Sequence, residues 1–186
     1  MAYTSDIRKG LCIRFNNNVY KIIDFLHVKP GKGPAFVRTK LRNFTTGKVF
    51  DKTFPAGHKI EKVFLESHNY QFLYEDKDSY HFMNTQCYNQ VQLTKNFISK
   101  KQFLKEGMEV TITFQKYDET PLSVEIPTES ILKVIYTEPG LKGDTVTNAR
   151  KLATLETGAV IQVPLFIKTG DNVKINIENG VYIERV

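Results

Sequence analysis

The chain has 186 residues, of which 41% are hydrophobic and 25% charged, a composition typical of soluble globular proteins. No stretch approaches the roughly 18 apolar positions of a membrane-spanning helix, and the N-terminus lacks the apolar core of a signal peptide, so we expect a cytoplasmic protein. The formal net charge of +6 is unevenly distributed: residues 1–64 carry +9, residues 65–127 carry −3 and residues 128–186 are neutral. The basic first segment predicts a polyanionic partner, and nucleic acid is the leading candidate.

The two cysteines, Cys12 and Cys87, lie far apart in the sequence. We expect both to be small buried hydrophobic residues in a reducing compartment, rather than a disulfide or a nucleophile. A membrane surface is a weaker candidate partner than nucleic acid, because the basic residues fall on segments of β-type alternation without an amphipathic helix or a lipidation motif. We therefore expect no membrane contact.

Hydrophobic and polar residues alternate with a period of two along most of the chain, which predicts strands. The asparagines at 16–18 form the first turn, since asparagine tolerates the left-handed backbone conformation. The predicted strands of the first unit are residues 11–15, 19–28, 35–43 and 48–54.

The charge changes sign near residue 65, where a second unit begins. Its predicted strands are residues 70–74, 80–83, 108–114 and 122–126. Residues 88–106 are the best place for a short helix or an irregular segment. In the third unit, a loop at 138–145 and a polar stretch separate the first strand from the others, and Asn-Gly at 179–180 is a strong turn signal. The strands predicted there are residues 131–136, 158–167, 173–177 and 181–186.

Each unit has roughly 60 residues, about five strands and almost no helix, which is typical of SH3-like or OB-type barrels. We predict an all-β protein of three small barrels in series, with domains at residues 1–64, 65–127 and 128–186. Barrels of this size bury a limited core and are usually binding modules. The aromatic residues of the second unit could be platforms for base stacking, but their strand spacing beside a net negative charge favours a role in the core.

A Lys-Pro-Gly-Lys-Gly-Pro sequence joins the two longest predicted strands of the first unit, at residues 29–34. Its glycines permit positive φ and leave the central lysine uncrowded, while its prolines fix φ near about −65° on either side. The predicted hairpin presents one long cationic side chain at its tip, which suits a probe, although an ordinary turn with a solvated lysine has the same spacing. The loop consists of Lys29, Pro30, Gly31, Lys32, Gly33 and Pro34.

Alternation places three cations, Arg38, Lys40 and Arg42, on one face of the strand that follows this loop. We name these three residues the basic stripe. The stripe is the solvated side of a half-buried sheet, a contact surface for phosphates, or both, because phosphate contacts are made from solvated faces.

The motifs of common enzymes and metal sites are missing from the sequence. The Thr-Gly-Lys at 46–48 lacks the following Ser or Thr of a phosphate loop, and the four histidines are scattered without the spacing of zinc ligands. A Schiff-base role for Lys32 would need a desolvated amine, whereas a tip flanked by glycines is open to water. We therefore predict no catalytic residue, no metal and no cofactor.

Two long stretches resemble bacterial translation elongation factor P. The first comprises residues 29–41 with 46–49 and 52–54, and the second comprises residues 143–145 and 151–167. The resemblance covers the whole chain and keeps the order of the units. It implies an SH3-like KOW domain followed by two OB-fold domains, in an L-shaped arrangement that is similar to tRNA in outline.

The resemblance also implies partners and a reaction. Family members bind the ribosome, and hence rRNA, between the P and E sites when it stalls while joining consecutive prolines, and they contact the P-site peptidyl-tRNA. The ribosome performs the chemistry, and the factor supplies orientation of the reactants. We expect a monomer.

The roles of the hairpin residues follow from the same match. Lys32 corresponds to the lysine that reaches the CCA end of peptidyl-tRNA beside the peptidyl-transferase centre, held by the scaffold residues Pro30, Gly31, Gly33 and Pro34. From the charge pattern, we expect the first domain to hold the phosphates of the acceptor arm. The cations expected there are Lys29, Arg38, Lys40 and Arg42.

In the third unit the match implies contacts with the small subunit. Gly143 and Asp144 correspond to the loop near the E-site codon. Tyr182 and Arg185 resemble the pair that approaches the small subunit and the anticodon stem of the tRNA.

The chemical state of Lys32 is left open by the sequence. Many family members extend this lysine, for example by β-lysylation, and the modifying enzyme would then be a further partner. The Pro-Gly-Lys-Gly-Pro loop resembles a subgroup in which the bare lysine works because two prolines stiffen the loop, and we favour that alternative.

Three other functions are alternatives to this assignment. An elongation-factor-P-like paralogue differs at the tip, so Lys32 argues against it. A general RNA-binding or single-strand-binding OB protein would need exposed aromatic residues across the second and third units. An enzyme acting through Lys32 ranks last.

Overall fold

The computed structural model describes residues 2–98, 100–117, 119–139 and 150–186. Within these residues the chain forms strands and three single 3-10 turns, at Thr4–Asp6, Lys95–Phe97 and Lys101–Phe103. The all-β prediction is confirmed. The strands form three sheets, and strands pair in the antiparallel direction within each sheet.

The first sheet has the spatial order β1-β6-β2-β3-β4-β5. Its strands are β1 (Ala2–Tyr3), β2 (Cys12–Phe15), β3 (Asn18–Val28), β4 (Phe36–Asn43), β5 (Val49–Pro55) and β6 (Lys59–Lys62). The turn between β2 and β3 has positive φ at Asn16 (47°) and Asn17 (60°), as the asparagine run predicts. The Thr4 hydroxyl donates to the Pro55 carbonyl oxygen (3.3 Å), which joins the segment after β1 to the end of β5.

The inner face of this sheet forms the core of the first barrel. Ile13, Ile22 and Leu41 are almost completely buried there, on three neighbouring strands. Burial of each such side chain stabilises the fold by about 1.5–3 kcal/mol relative to leaving it exposed. The core therefore fixes which face of β3 and β4 is left to solvent.

The second sheet has the order β11-β10-β7-β8-β9. Its strands are β7 (Leu65–Glu75), β8 (Ser79–Asn84), β9 (Gln90–Thr94), β10 (Glu109–Gln115) and β11 (Pro121–Glu125). Part of the segment predicted as a short helix or irregular structure is strand β9, so that prediction is wrong there. Val91 and Leu93 lie opposite Phe82 and Tyr80 of β8, and this pairing decides the conformation of a stretch too short to show its period.

The third sheet has the order β14-β13-β12-β15-β16, and β14 also lies against β16, which closes the barrel. Its strands are β12 (Glu129–Thr137), β13 (Arg150–Leu155), β14 (Val160–Pro164), β15 (Asn172–Asn176) and β16 (Val181–Arg185). Strand β13 lies within the polar stretch of the third unit, for which the sequence pattern predicts no strand. It forms because Ala153 and Leu155 are buried in the core, whereas Arg150 and Leu152 are exposed.

The packing of the chain defines two compact units. The first comprises Met1–His68 and Ile112–Val124, and the second comprises Asn69–Thr111 and Glu125–Val186. The division into three domains at 1–64, 65–127 and 128–186 stays a prediction.

Within the second unit, Phe103 from the segment between β9 and β10 is buried in the core of the third sheet, at 4% exposure. A Cβ added to Gly180, in the turn before β16, would lie 3.4 Å from the Phe103 ring. Nearby, the Lys105 ammonium lies 2.8 Å from Oε1 of Glu156, and the Lys133 amide donates to the same oxygen at 2.9 Å. This segment is therefore fastened to the third sheet by both apolar and polar contacts.

The two cysteines differ in their surroundings. Cys12 is buried, as predicted, and burial raises the pKa of its thiol. Cys87 is exposed, so the prediction of a buried residue is wrong for it. It lies in the turn after β8, where the backbone amides of Gln86 and Cys87 both donate to Asn84 Oδ1. These hydrogen bonds hold the turn, and with it the Cys87 side chain, outside the sheet.

The turn between β7 and β8 depends on the charge of Asp76. The pKa of this carboxyl lies below its ordinary value of 3.8, first because of the hydrogen bond with His81 Nε2 (2.7 Å) and further because the amides of Asp78 and Ser79 donate to Oδ1. A lowered folded-state pKa stabilises the fold above the unfolded-state pKa, and this stabilisation is lost as pH falls through the folded-state value. We expect the melting temperature of Asp76→Asn to decline less than that of the wild type below about pH 4.

Thermal unfolding followed at several pH values checks this expectation. Asp78→Asn is the matched control, since it removes one carboxylate from the same turn without removing the acceptor of the two amide hydrogen bonds. Equal acid sensitivity of the wild type and Asp76→Asn would contradict the role given to Asp76.

Candidate nucleic-acid interface

The long hairpin of the first sheet consists of β3, with eleven residues, and β4, with eight. The strands pair from Val28 opposite Phe36 to Tyr20 opposite Asn43, with a bulge between Ile22 and Asp24. At about 3.3 Å per residue, the tip stands on the order of 30 Å from the far end of the hairpin. The predicted hairpin is confirmed, and its loop spans residues 29–35.

The loop places Lys32 at the tip with its side chain exposed, between two exposed glycines. Gly33 has φ +105°, a conformation that favours glycine, whereas Gly31 does not use positive φ. A Cβ added to either glycine meets nothing within 4 Å. Position 33 therefore requires glycine because of its backbone conformation. At position 31 neither the backbone conformation nor the surrounding space requires glycine.

The basic stripe occupies the outer face of β4. Arg38, Lys40 and Arg42 are exposed, and the residues that alternate with them, from Val37 to Asn43, are buried. The buried Thr39 hydroxyl donates to the Lys52 carbonyl oxygen (2.8 Å), so its polar atom is satisfied within the sheet. The predicted placement of the three cations on one solvated face is confirmed. Lys29, at the start of the loop, is also exposed.

The middle of the stripe is flanked by acids. Lys40 lies directly opposite Asp24 of β3 on one side and Asp51 of β5 on the other. Asp24 Oδ1 lies 2.9 Å from the Lys9 ammonium. The pKa of Asp24 lies below its ordinary value, mainly through the hydrogen bond from Lys9, with a smaller electrostatic contribution from Lys40.

The two ends of the stripe have different neighbours. Arg38, near the tip, lies between Leu26 and Thr53, which are uncharged and exposed. Arg42, at the base, lies opposite a second cation, Lys21. Alternation along the sequence predicts the cations but not the acids beside them, because it assigns a residue to a face without showing which residue of the next strand lies opposite.

Strand β16 contains the two C-terminal residues predicted to contact the small subunit. Tyr182 lies opposite Ile175, and Arg185 lies opposite Val173, because the register shifts by one residue at Ile183. Residues directly opposite in an antiparallel pair share a face. Tyr182 and Arg185 therefore lie on the same face, although a spacing of three residues in a regular strand would place them on opposite faces.

The exposed Arg185 side chain is held by two neighbours. Its guanidinium lies 5.7 Å from the centre of the Phe166 ring, and Nη1 lies 3.8 Å from Oδ2 of Asp171. Tyr182 is half-buried against the core. Gly143 and Asp144, the other predicted contacts in this unit, lie outside the described residues.

Several aromatic side chains outside the first sheet are more than half exposed: Tyr88, Tyr117, Tyr136 and Phe166. Five aromatic residues of the second sheet are buried, which confirms a core role for them: Tyr70, Phe72, Tyr80, Phe82 and Phe114. The exposed aromatic residues required for the alternative of a single-strand-binding protein are therefore present.

The part of the chain that the structure describes contains neither a candidate metal cluster nor a candidate membrane-spanning helix. Nowhere in it do three or more His, Cys, Asp or Glu side chains form a group that could hold a metal ion. None of its helical segments, which are single turns, has the length and hydropathy to cross a membrane.

Three sequence families match successive parts of the chain. They are described as "Elongation factor P (EF-P) KOW-like domain", at residues 3–60, "Elongation factor P (EF-P) OB domain", at residues 65–124, and "Elongation factor P, C-terminal", at residues 131–185. Proteins named elongation factor P from Christiangramia forsetii and Flavobacterium johnsoniae are 58% and 56% identical to the chain over 186 residues, covering 100% of it and 99% of each relative.

A solved structure shares the fold at lower identity. It is a translation initiation factor eIF-5A family protein from Naegleria fowleri, with a TM-score of 0.53 and 15% identity, and the match covers 67% of this chain and 96% of that one. The match supports the barrel architecture alone.

Proposed function

The chain belongs to the elongation factor P family, and on that premise we propose that it relieves ribosomes stalled at consecutive prolines by positioning the CCA end of the P-site peptidyl-tRNA with Lys32. It is a translation elongation factor and not an enzyme. The observation that carries the proposal is the exposed Lys32 at the tip of the long hairpin, beyond a face that bears the basic stripe.

The mechanism that fits this geometry is orientation. A proline nucleophile has a constrained amine, and a proline-rich peptidyl chain holds its ester carbon poorly, so the reactants are badly aligned. Holding reacting groups in near-attack geometry lowers a barrier by as much as about 7–11 kcal/mol in favourable cases. A lysine ammonium that holds the CCA end in place improves this alignment, and it neither transfers a proton to the substrate nor forms a covalent bond with it.

The cations beside the tip bind the tRNA. Lys29, Arg38, Lys40 and Arg42 are all exposed, and we assign to them contacts with the phosphates of the acceptor arm. Phosphate contacts fix position without reading sequence, which suits a factor that acts on any peptidyl-tRNA ending in proline.

The remaining assignments follow the family. The chain is bound between the P and E sites as a monomer in the cytoplasm. Gly143 and Asp144 face the E-site codon. We also assign Tyr182 and Arg185 to a contact with the small subunit, in which Arg185 supplies the exposed cation, since Tyr182 is half-buried against the core.

The loop supports a bare lysine over an extended one. Pro30 and Pro34 bracket the tip, and Gly33 holds a backbone conformation that other residues rarely adopt. A loop fixed before binding loses less conformational entropy on the ribosome, so rigidity compensates for a shorter reach. On this view no modifying enzyme is required.

The decisive experiment is reconstituted translation of a reporter with three consecutive prolines, using protein made in a host that cannot modify Lys32. Full relief of stalling supports both the function and the bare lysine. If relief is absent, the same assay with protein from the native host separates a required modification, which restores relief, from a wrong assignment, which does not. A reporter without prolines is the control, and its translation is expected to be unchanged.

The second candidate is a general single-strand-binding protein, favoured by the exposed aromatic residues of the second and third sheets. Stacking on aromatic rings binds single strands with little regard to sequence. This candidate would be favoured if the chain bound bare single-stranded RNA at least as tightly as it binds the ribosome, with an affinity that falls steeply as the salt concentration rises.

The glycines of the loop offer a matched pair of variants. Gly33→Ala strains the backbone at φ +105°, while Gly31→Ala enters open space without positive φ. Because placing an L-residue in the left-handed region costs about 1–2 kcal/mol, we expect Gly33→Ala to shift the loop and reduce proline rescue about tenfold. Gly31→Ala is expected to stay within about twofold of the wild type. Rescue rates measured over a range of factor concentrations check the difference, and equal losses would contradict it.

A further inference from the structure

The charge of the outer face of β3, β4 and β5 is interrupted in its middle. Only four acids occur in residues 1–64, against 13 Lys and Arg, and two of them, Asp24 and Asp51, flank Lys40. Side chains directly opposite on neighbouring strands have Cβ atoms about 4.5–5.5 Å apart. Both carboxylates are therefore close enough to reduce the attraction of Lys40 for a phosphate.

The two ends of the stripe keep their full positive charge. Arg38 has only the uncharged Leu26 and Thr53 directly opposite it, and Arg42 is reinforced by Lys21. Arg42 lies four positions after Arg38, which corresponds to about 13 Å along the strand. The face thus has two positive ends and a neutralised centre.

Folding does not account for the two acids. Both are exposed, and exposed ion pairs contribute little to stability, about 0–1 kcal/mol. Asp is also among the residues that are rare in strands. Two carboxylates in the centre of the most basic face therefore carry a cost in RNA affinity without a matching gain in the fold.

We infer that Asp24 and Asp51 determine specificity by repelling phosphates, so that the contact assigned to Lys40 is weak, RNA is bound mainly at the two ends of the stripe, and RNA in general is bound weakly. The inference rests on the proposed function, in which the stripe contacts tRNA. Discrimination between partners is achieved by interactions that disfavour the wrong one as well as by those that favour the right one. On the ribosome the hairpin is also held through Lys32 and the other domains, so the loss of one phosphate contact costs little there. Free RNA offers no such additional contacts.

The test compares Asp51→Asn with the wild type in binding to poly(U) and to ribosomes stalled at consecutive prolines. The substitution keeps the size of the side chain and removes its charge. We expect affinity for poly(U) to rise about threefold to fivefold at low salt, with a steeper salt dependence, and affinity for the stalled ribosome to rise less than about twofold. Asp24→Asn should have a larger effect on poly(U), because it also frees Lys9.

Glu109→Gln is the matched control, since it makes the same change in net charge at an exposed position at the start of β10. Two results would overturn the inference: a rise in poly(U) affinity no larger than that of Glu109→Gln, or equal rises for poly(U) and ribosomes. Thermal unfolding of each variant verifies that the sheet is intact. If the wild type itself fails to bind or rescue ribosomes, the proposed function fails, and the poly(U) comparison still decides whether the two acids repel RNA.

Discussion

Replacement of Lys32 by alanine is expected to abolish the relief of proline stalling while the fold stays intact. The side chain is exposed at the tip of the loop, so its removal leaves no cavity in the core. The rate of peptide-bond formation at three consecutive prolines should fall to that measured without the factor, because the group that orients the CCA end is gone. The measurement is reconstituted translation, with thermal unfolding of the variant to verify its stability within about 0.5 kcal/mol.

A conservative variant sharpens the test. Lys32→Arg keeps the positive charge but replaces a compact ammonium with a planar guanidinium, so we expect partial rescue, between that of the wild type and that of Lys32→Ala. Binding of Lys32→Ala to the ribosome should remain measurable, since the basic stripe is unchanged. Full rescue by Lys32→Ala would overturn the proposed mechanism, and complete loss of ribosome binding would move the role of Lys32 from orientation to attachment.

The largest effect on stability is expected for Phe103→Ala. This ring lies in the core of the third sheet at 4% exposure, against the turn at Gly180. Removing a buried phenylalanine side chain loses its transfer free energy and leaves a cavity, and such changes cost about 3–5 kcal/mol. We expect the second unit to lose this amount from its free energy of unfolding.

Hydrogen exchange of the β15 amides measures the loss locally, which is needed because a multidomain chain does not unfold in a single transition. Phe166→Ala is the matched control, since it removes the same side chain from an exposed position of the same unit. We expect Phe166→Ala to cost less than about 1 kcal/mol. Similar protection factors in the two variants would show that Phe103 does not anchor its segment to the third sheet.

The hairpin and its stripe could be predicted from the sequence because strict alternation persists through β4, from Phe36 to Asn43. Shorter or more polar strands were missed. Strand β1 has only two residues, and β13 alternates with small and polar side chains, so neither shows its period within its own length. These strands form because neighbouring strands offer hydrogen-bonding partners, which a local pattern does not reveal.

The details of the site depend on register, and bulges change register. The shift at Ile183 brings Tyr182 and Arg185 to one face, and the bulge between Ile22 and Asp24 sets which residue of β3 stands beside Lys40. A bulge adds one residue to one strand, so every side chain beyond it lies on the face opposite to the one that regular alternation predicts. Sequence periodicity identified the cations of the stripe, whereas the acids beside them required the pairing of three strands.

The alternation along β4 also constrains how this protein can evolve. Its buried and exposed residues are interleaved one by one, so the outward positions can be exchanged among lineages without disturbing the inward ones. A deletion or insertion of a single codon within the strand would instead send cations into the core and hydrophobic residues to the surface. The fold should therefore tolerate substitutions on the outer face of β4 but not a change in its length, so RNA affinity can be altered by single-nucleotide changes without loss of the core.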